Sequence, residues 1–393
     1  MKPLVISACT VTSALGAGCA ATLDALQAQR SGLAPVRFLN VPLATWTGEV
    51  NGVDVVALPA PLAEFDCRNN RLAWLGLQQD GFLDAVATAR ARWGAGRVAV
   101  FLGTSTSGLL QTEIAYRRRA PDGALPADFL YGPTHNTYSL AAFVAQALQL
   151  HGPSWVVSTA CSSSAKVFGN AARLIAAGLI DAAVVGGVDS LCLTTLYGFN
   201  SLELLSSEIC RPWDAARNGL SIGEAAAYAL VERDCAAPRG WLLGVGESND
   251  GYHMSSPHPE GAGAIAAMHG ALGDAGLQPA DIDYINLHGT ATPSNDAAED
   301  HAVGRVFGPE TPCSSTKGAT GHTLGAAGGV EAVIALLAMR HGLMPAGLNV
   351  QRRDAGLQLN YLLDNRPAPV RRVLSNSFGF GGSNASLVFG SVA

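Results

Sequence analysis

Charge is scarce in this chain: Asp, Glu, Lys and Arg make up 14% of 393 residues, while 48% are hydrophobic. So little charge leaves much of the chain as interior or interface, and an oligomer is expected. A net formal charge of −6 provides no broad basic face to offset phosphate repulsion, which argues against nucleic-acid binding. Cysteine occurs eight times, yet there is no CxxC pair and no Cys/His ligand cluster. That pattern argues against a structural zinc site and a secreted disulfide scaffold, and no metal is expected. The scattered thiols fit a reducing, cytoplasmic setting. No charge-free run of about 18 apolar residues occurs, so no membrane span is expected. The opening MKPLVISACTVTSALGAGC has one Lys and an apolar region interrupted by Ser7, Thr10, Thr12 and Ser13. It reads as a strand from Leu4 to Ser7 and a helix over 20–28, rather than a secretory signal.

What is present is a recurrent α/β pattern. Short apolar runs at 98–102, 182–185 and 284–287 alternate with Ala/Leu-rich helical stretches, as in a chain with buried sheets. CSSSAKVFGNAARLIAAGLID (161–181) is echoed by TLGAAGGVEAVIALLAMRHGL (323–343): small residues, an apolar helix, then Gly near its end. The echo predicts two similar halves meeting through small-residue helices. A seam near 235–240 divides the chain into 1–234 and 235–393. The segment 117–136, with Arg117-Arg118-Arg119 and several Pro and Gly, is expected to cross the surface as a lid or interface arm.

VVSTACSSSA (156–165) ends a β-branched run in very small residues, the outline of a strand-turn-helix elbow with Cys161 at the bend. At a helix N-terminus the dipole and free N–H groups favour thiolate and can also hold an oxyanion. An inert, buried cysteine fits the same residues. His288 follows an apolar run in NLHGTATP, and His322 sits in the Gly-rich KGATGHTLG. Two histidines in glycine-flanked turns strengthen the reactive reading of Cys161, although each could merely brace a loop. NSFGFGGSN (376–384) offers a backbone free enough to approach a ligand and an aromatic able to gate it.

TACSSSA, HGTATP, KGATGHTLGAAGGVE and NSFGFGGSN, in this order, resemble the signature blocks of the β-ketoacyl-acyl carrier protein synthases of the elongating, two-histidine type. RPWD (211–214), GEA (223–225) and DGYHM (250–254) are similar to further family segments. The resemblance implies a thiolase fold, α/β, with two similar halves in five α-β-α-β-α layers. It also implies a homodimer, or a heterodimer with a related subunit. It makes Cys161 the acyl-accepting nucleophile, and His288 and His322 the pair that binds the malonyl thioester and promotes loss of CO2. The Phe380 N–H would serve the oxyanion, its ring the gate. Lys317 resembles the lysine behind the second histidine, Glu331 the acid paired with it. Thr290 and Thr292 match positions on the phosphopantetheine arm; Thr106, Phe378 and Gly379 match further substrate-contacting positions. No cofactor is implied, since substrates ride on the acyl carrier protein. His322, where a relative has Asn, and the absence of Cys after Cys313 favour decarboxylating elongation in fatty acid or polyketide synthesis. The alternative is a non-catalytic partner subunit that sets chain length; the intact Cys161, His288 and His322 weigh against it.

The sequence also departs from the pattern. GTSTSG (103–108) replaces an apolar family segment, so a shorter or more polar acyl pocket is expected. The loop before Arg211 lacks a basic residue. Docking of an acidic carrier protein is therefore assigned to Arg68, Arg71, Arg117, Arg118 and Arg119, unless these are merely solvated. Lys166, one turn into the nucleophile helix, has no role at this level.

Overall fold

The computed structural model describes residues 1–392. Ten strands form the framework: β1 (Leu4–Ser13), β2 (Val98–Gly103), β3 (Ser154–Val157), β4 (Ala182–Asp189), β5 (Ala225–Glu232), β6 (Gly240–Asn249), β7 (Tyr284–Asn286), β8 (Cys313–Ser314), β9 (Arg372–Gly379) and β10 (Ser383–Gly390). Their spatial order is β3-β2-β4-β5-β1-β6-β10-β9-β7-β8. Two five-stranded units of identical topology thus meet where β1 pairs with β6, Leu4 opposite Leu242. In each unit four strands run the same way, and the fourth in spatial order, β5 or β10, runs against both of its neighbours. The echo in the sequence is this repeat.

Two helices lie between the units: the nucleophile helix (Ser163–Ala176) and the core helix (Ala327–His341). Each touches strands of both units, and further helices cover the outer faces, giving five layers. Small residues permit this. A methyl on Gly328 would lie 2.7 Å from the Ala165 Cβ, and one on Gly103 only 2.3 Å from the Ser164 backbone nitrogen. Every residue of β4 and β5 is buried, as expected for strands covered on both faces. Leu324–His341 is long and apolar enough to cross a membrane, the one such helix among the described residues, but 89% of it is buried inside the fold. A helix apolar all round belongs in a core when layers enclose it.

The N-terminal strand runs to Ser13 rather than Ser7, and its helix spans Gly18–Gln27. After the helix Leu109–Arg117 the chain crosses the surface largely without regular structure to a π-turn at Tyr131–His135. This excursion lines a shallow depression with Asp66 and Glu64, and it reaches neither cavity that meets at Cys161. A lid over the nucleophile is therefore set aside for this segment.

Candidate active site

Cys161 sits where β3 gives way to the nucleophile helix. The bend is made by Ala160, held at φ +52°, a conformation that costs a non-glycine residue about 1–3 kcal/mol. The serines that follow hold it in place. Ser163 Oγ donates to the Ala160 carbonyl at 2.6 Å and accepts the Thr159 N–H at 2.9 Å; Ser162 Oγ donates to the Thr159 carbonyl at 2.9 Å. Ser164 Oγ accepts the Gly329 N–H at 2.9 Å, tying this helix to the core helix.

Both histidines face the sulfur. His322 Nε2 lies 3.0 Å from Cys161 Sγ, and the two imidazole rings stand nearly perpendicular, 85° apart, with centroids at 5.3 Å. Their tautomers follow from their partners. His322 Nδ1 accepts the Leu324 N–H at 3.3 Å. His288 Nδ1 lies 3.3 Å from Lys317 Nζ, which can only donate. Each Nδ1 is thus an acceptor, and in the neutral ring the proton sits on Nε2. Burial holds both imidazoles well below the usual histidine pKa, reinforced by the Lys317 charge. The cavity therefore receives two neutral N–H donors.

Lys317 Nζ also donates to the His288 carbonyl at 2.6 Å and pairs with Glu331; both side chains are buried. The expected Lys317–Glu331 pair is present, but the lysine braces His288, the first histidine, rather than His322. Burial pushes the Glu331 carboxyl up to about 7, against the pull of Lys317. A second buried acid, Glu299, accepts the backbone N–H groups of His288 at 2.8 Å and Gly289 at 2.7 Å. Sequence reading missed it. Its only signal was a glutamate eleven residues beyond His288 on the following helix, and nothing in that spacing says where the helix packs.

Burial pushes the Cys161 thiol up to about 11, with Lys317 and the Phe380 N–H pulling the other way. This corrects the expectation of a resting thiolate. Desolvation inside five layers outweighs both of these pulls. Cys161, His288 and His322 offer ligand atoms within 4.8 Å of one another. The donor set suits a metal poorly, because both facing nitrogens carry protons and a buried ammonium stands behind one ring.

Two cavities meet at the sulfur. One is lined by Thr290, Thr292, Asn295, Phe378, Gly379 and Ser255, with both histidines. The other, about 470 Å³, is lined by Leu109, Phe199, Leu202, Leu324, Thr194 and Ser105. Phe199 and Phe380 line both, their ring centroids 5.5 Å apart. A thiol between a cavity of mixed lining, edged by hydroxyl and imidazole groups, and an apolar pocket, under two N–H donors, is arranged for acyl transfer.

Comparison with known proteins decides the family. The family models "Beta-ketoacyl synthase, N-terminal domain" and "C-terminal domain" match residues 70–237 and 239–351. The chain belongs to the β-ketoacyl synthase family. It is 33% identical to 3-oxoacyl-[acyl-carrier-protein] synthase 2 of Coxiella burnetii over 100% of this chain and 99% of that one. It superimposes with TM-score 0.90 and 40% identity on a chain of the solved complex of the ketosynthase ApeO with its chain length factor ApeC from Xenorhabdus doucetiae, covering 99% of this chain and 98% of that one. A β-ketoacyl synthase from Burkholderia phymatum gives TM-score 0.89 at 29% identity, with 100% of each chain covered. The thiolase fold expected from the signature blocks is thereby established.

Against this family background, several residues named from the sequence sit elsewhere than expected. Thr106 is buried and turned from the cavities: its hydroxyl donates to Asp189 at 2.8 Å. Asp189 also accepts the N–H groups of Ser105 at 2.8 Å, Thr106 at 2.9 Å and Gly325 at 2.6 Å. The GTSTSG turn is thus wound around a buried carboxylate, and of its residues only Ser105 reaches the apolar pocket. Arg68 cannot dock a partner. It is buried and bound to Glu224 at 2.6 Å and Asp54 at 2.5 Å. Arg71 is held by Asp66 at 2.5 Å and Arg118 by Asp128 at 2.9 Å, while Arg119 lies over the Tyr116 ring at 4.9 Å. Arg117 is exposed and pairs with no carboxylate among the described residues.

Proposed function

We propose that the chain catalyses the decarboxylative Claisen condensation of a Cys161-bound acyl group with malonyl thioester, both delivered on the phosphopantetheine arm of an acyl carrier protein. The observation that carries this reading is the pair of Nε2–H donors, tautomers fixed from behind, facing Cys161 Sγ. In the first half-reaction the sulfur attacks the incoming acyl thioester, its proton leaves with the carrier thiolate, and the acyl group remains on Cys161. The backbone N–H groups of Cys161 and Phe380 serve the tetrahedral oxyanion. In the second, the malonyl C–C bond to the carboxylate breaks and its electron pair passes to the thioester as an enolate, whose oxygen meets the N–H groups of His288 and His322. CO2 departs. The enolate carbon attacks the acyl-Cys carbonyl, the β-ketoacyl chain leaves on the carrier, and the expelled sulfur recovers a proton from solvent.

Neutral imidazoles suit this step. They stabilise negative charge by donation without binding the malonate carboxylate too tightly to release CO2. Thr290 and Thr292 in the first cavity would bind the arm, and Phe380 packed on Phe199 would gate passage into the acyl pocket. The reading needs no metal or other cofactor. It places the protein in the cytoplasm, as a dimer of two copies or with a related subunit. An intact Cys–His–His set speaks against a purely length-setting role.

Mass spectrometry of Cys161 with a panel of acyl-carrier thioesters, followed by malonyl carrier, tests the proposal. The expected results are an acyl adduct on Cys161, its loss in Cys161→Ala, and a trapped adduct without condensation in His288→Ala or His322→Ala. No adduct in the wild type would defeat it.

A further inference from the structure

Lys166 lies five residues beyond Cys161 on the nucleophile helix, and the chemistry above gives it no part. Its Nζ donates to the hydroxyl of Ser383 at 2.7 Å. Lys166 forms no ion pair among the described residues. Nearby Glu247 is engaged by Arg173 at 2.9 Å, and burial holds the lysine below its usual pKa. A half-buried cation spending its one polar contact on a serine calls for an explanation.

Ser383 is opposite Gly379, and the two close the hairpin whose tip is Phe380–Gly382. That tip is soft by construction, with Gly381 at φ +76° and Gly382 at φ +71°. Yet it must be placed accurately. The Gly379 backbone approaches the elbow so closely that a Cβ there would lie 2.9 Å from the Thr159 carbonyl oxygen and 3.2 Å from the Cys161 nitrogen. The N–H groups facing an oxyanion on Cys161 ride on different elements from opposite halves of the chain: Cys161 on the elbow, Phe380 on the hairpin tip.

We propose that Lys166 is a positioning residue that grips the hairpin at Ser383 and so fixes the Phe380 N–H relative to Cys161. A charge-assisted hydrogen bond is roughly twice as strong as a neutral one, and this one spans the two elements that carry the oxyanion donors. The inference rests on the reading of Cys161 as the acyl-accepting nucleophile.

The test measures the rate of Cys161 acylation by hexanoyl-pantetheine thioester, together with the pH profile of Cys161 alkylation by iodoacetamide. Misplacing a catalytic donor by about 1 Å can cost roughly a hundredfold. Lys166→Met and Ser383→Ala should each slow acylation about tenfold or more, with KM within about twofold. The double variant should be no slower than either single one, and Lys166→Arg should recover most of the rate. The alkylation midpoint of Ser383→Ala should rise although the Lys166 charge remains, because the Phe380 N–H retreats from the sulfur. Wild-type acylation and an unmoved alkylation profile in Ser383→Ala would overturn the proposal, whether or not Lys166→Met folds. A wild type that never acylates would instead defeat the condensing reading, and the alkylation profiles would still decide the clamp.

Discussion

Glu299 accepts the backbone N–H of His288 from a helix eleven residues further along the chain, at 2.8 Å. The carboxylate thereby fixes the loop that carries one of the two imidazoles, without touching the imidazole itself.

Removing that acceptor should loosen His288 more than it harms the nucleophile. Glu299→Ala strands the His288 and Gly289 N–H groups, at about 1–3 kcal/mol each for a buried donor. Chemical denaturation should show a loss of that order, and condensation should fall well below Cys161 acylation when the half-reactions are timed separately. Equal loss of both would reject the assignment.

The same residue makes stability depend on pH. Burial raises the Glu299 carboxyl to about 7 from an ordinary 4.5, so across that window the folded state binds more protons than the unfolded one. Its contribution to stability therefore falls as pH rises from about 4.5 to about 7. Unfolding curves of wild type and Glu299→Gln across this range should converge or cross in that direction, the wild type losing ground toward neutrality. The opposite trend would show that Glu299 is ionised throughout.

For Cys161, the resting thiol implies slow reaction with small alkylating agents near neutrality. Site-resolved alkylation should keep climbing between pH 8 and pH 10, toward the value of about 11 set by burial. A plateau below pH 9 would mean the helix end and Lys317 outweigh desolvation.

Gly379 has an ordinary extended backbone, φ −112° and ψ 155°, so alanine there is resisted by space alone. Gly379→Ala should push the hairpin from the elbow and cut acylation by at least about tenfold with little change in melting temperature. An unaffected rate would show that the hairpin yields freely.

Among the arginines considered for docking, Arg117 alone is both exposed and free of a carboxylate or aromatic partner among the described residues. Arg117→Glu should raise KM for malonyl-carrier protein at low salt, leave malonyl-pantetheine turnover alone, and lose its effect near 0.5 M salt, where the Debye length falls to a few ångströms. A salt-independent change would point to misfolding instead.

The chemistry-bearing residues were legible in the linear chain because each sits in a locally determined turn. Small residues after a β-branched run make the Cys161 elbow, and glycines flank His288, His322 and Phe380. The repeat of helix and strand was legible for the same reason: apolar periodicity is local. What no local pattern could show was desolvation. Burial within five layers raises the Cys161 thiol where a thiolate was expected, and long-range packing sets Lys317 against His288 rather than His322. It also withdrew Arg68 from the surface into a pair with Glu224. Glu299, Asp189 and the Lys166–Ser383 contact likewise depend on segments far apart in the chain. Sequence fixes which groups exist and how each turn bends; their charge state and their partners come from the packed interior, where a low dielectric penalises any ion or donor that long-range contacts leave unmatched.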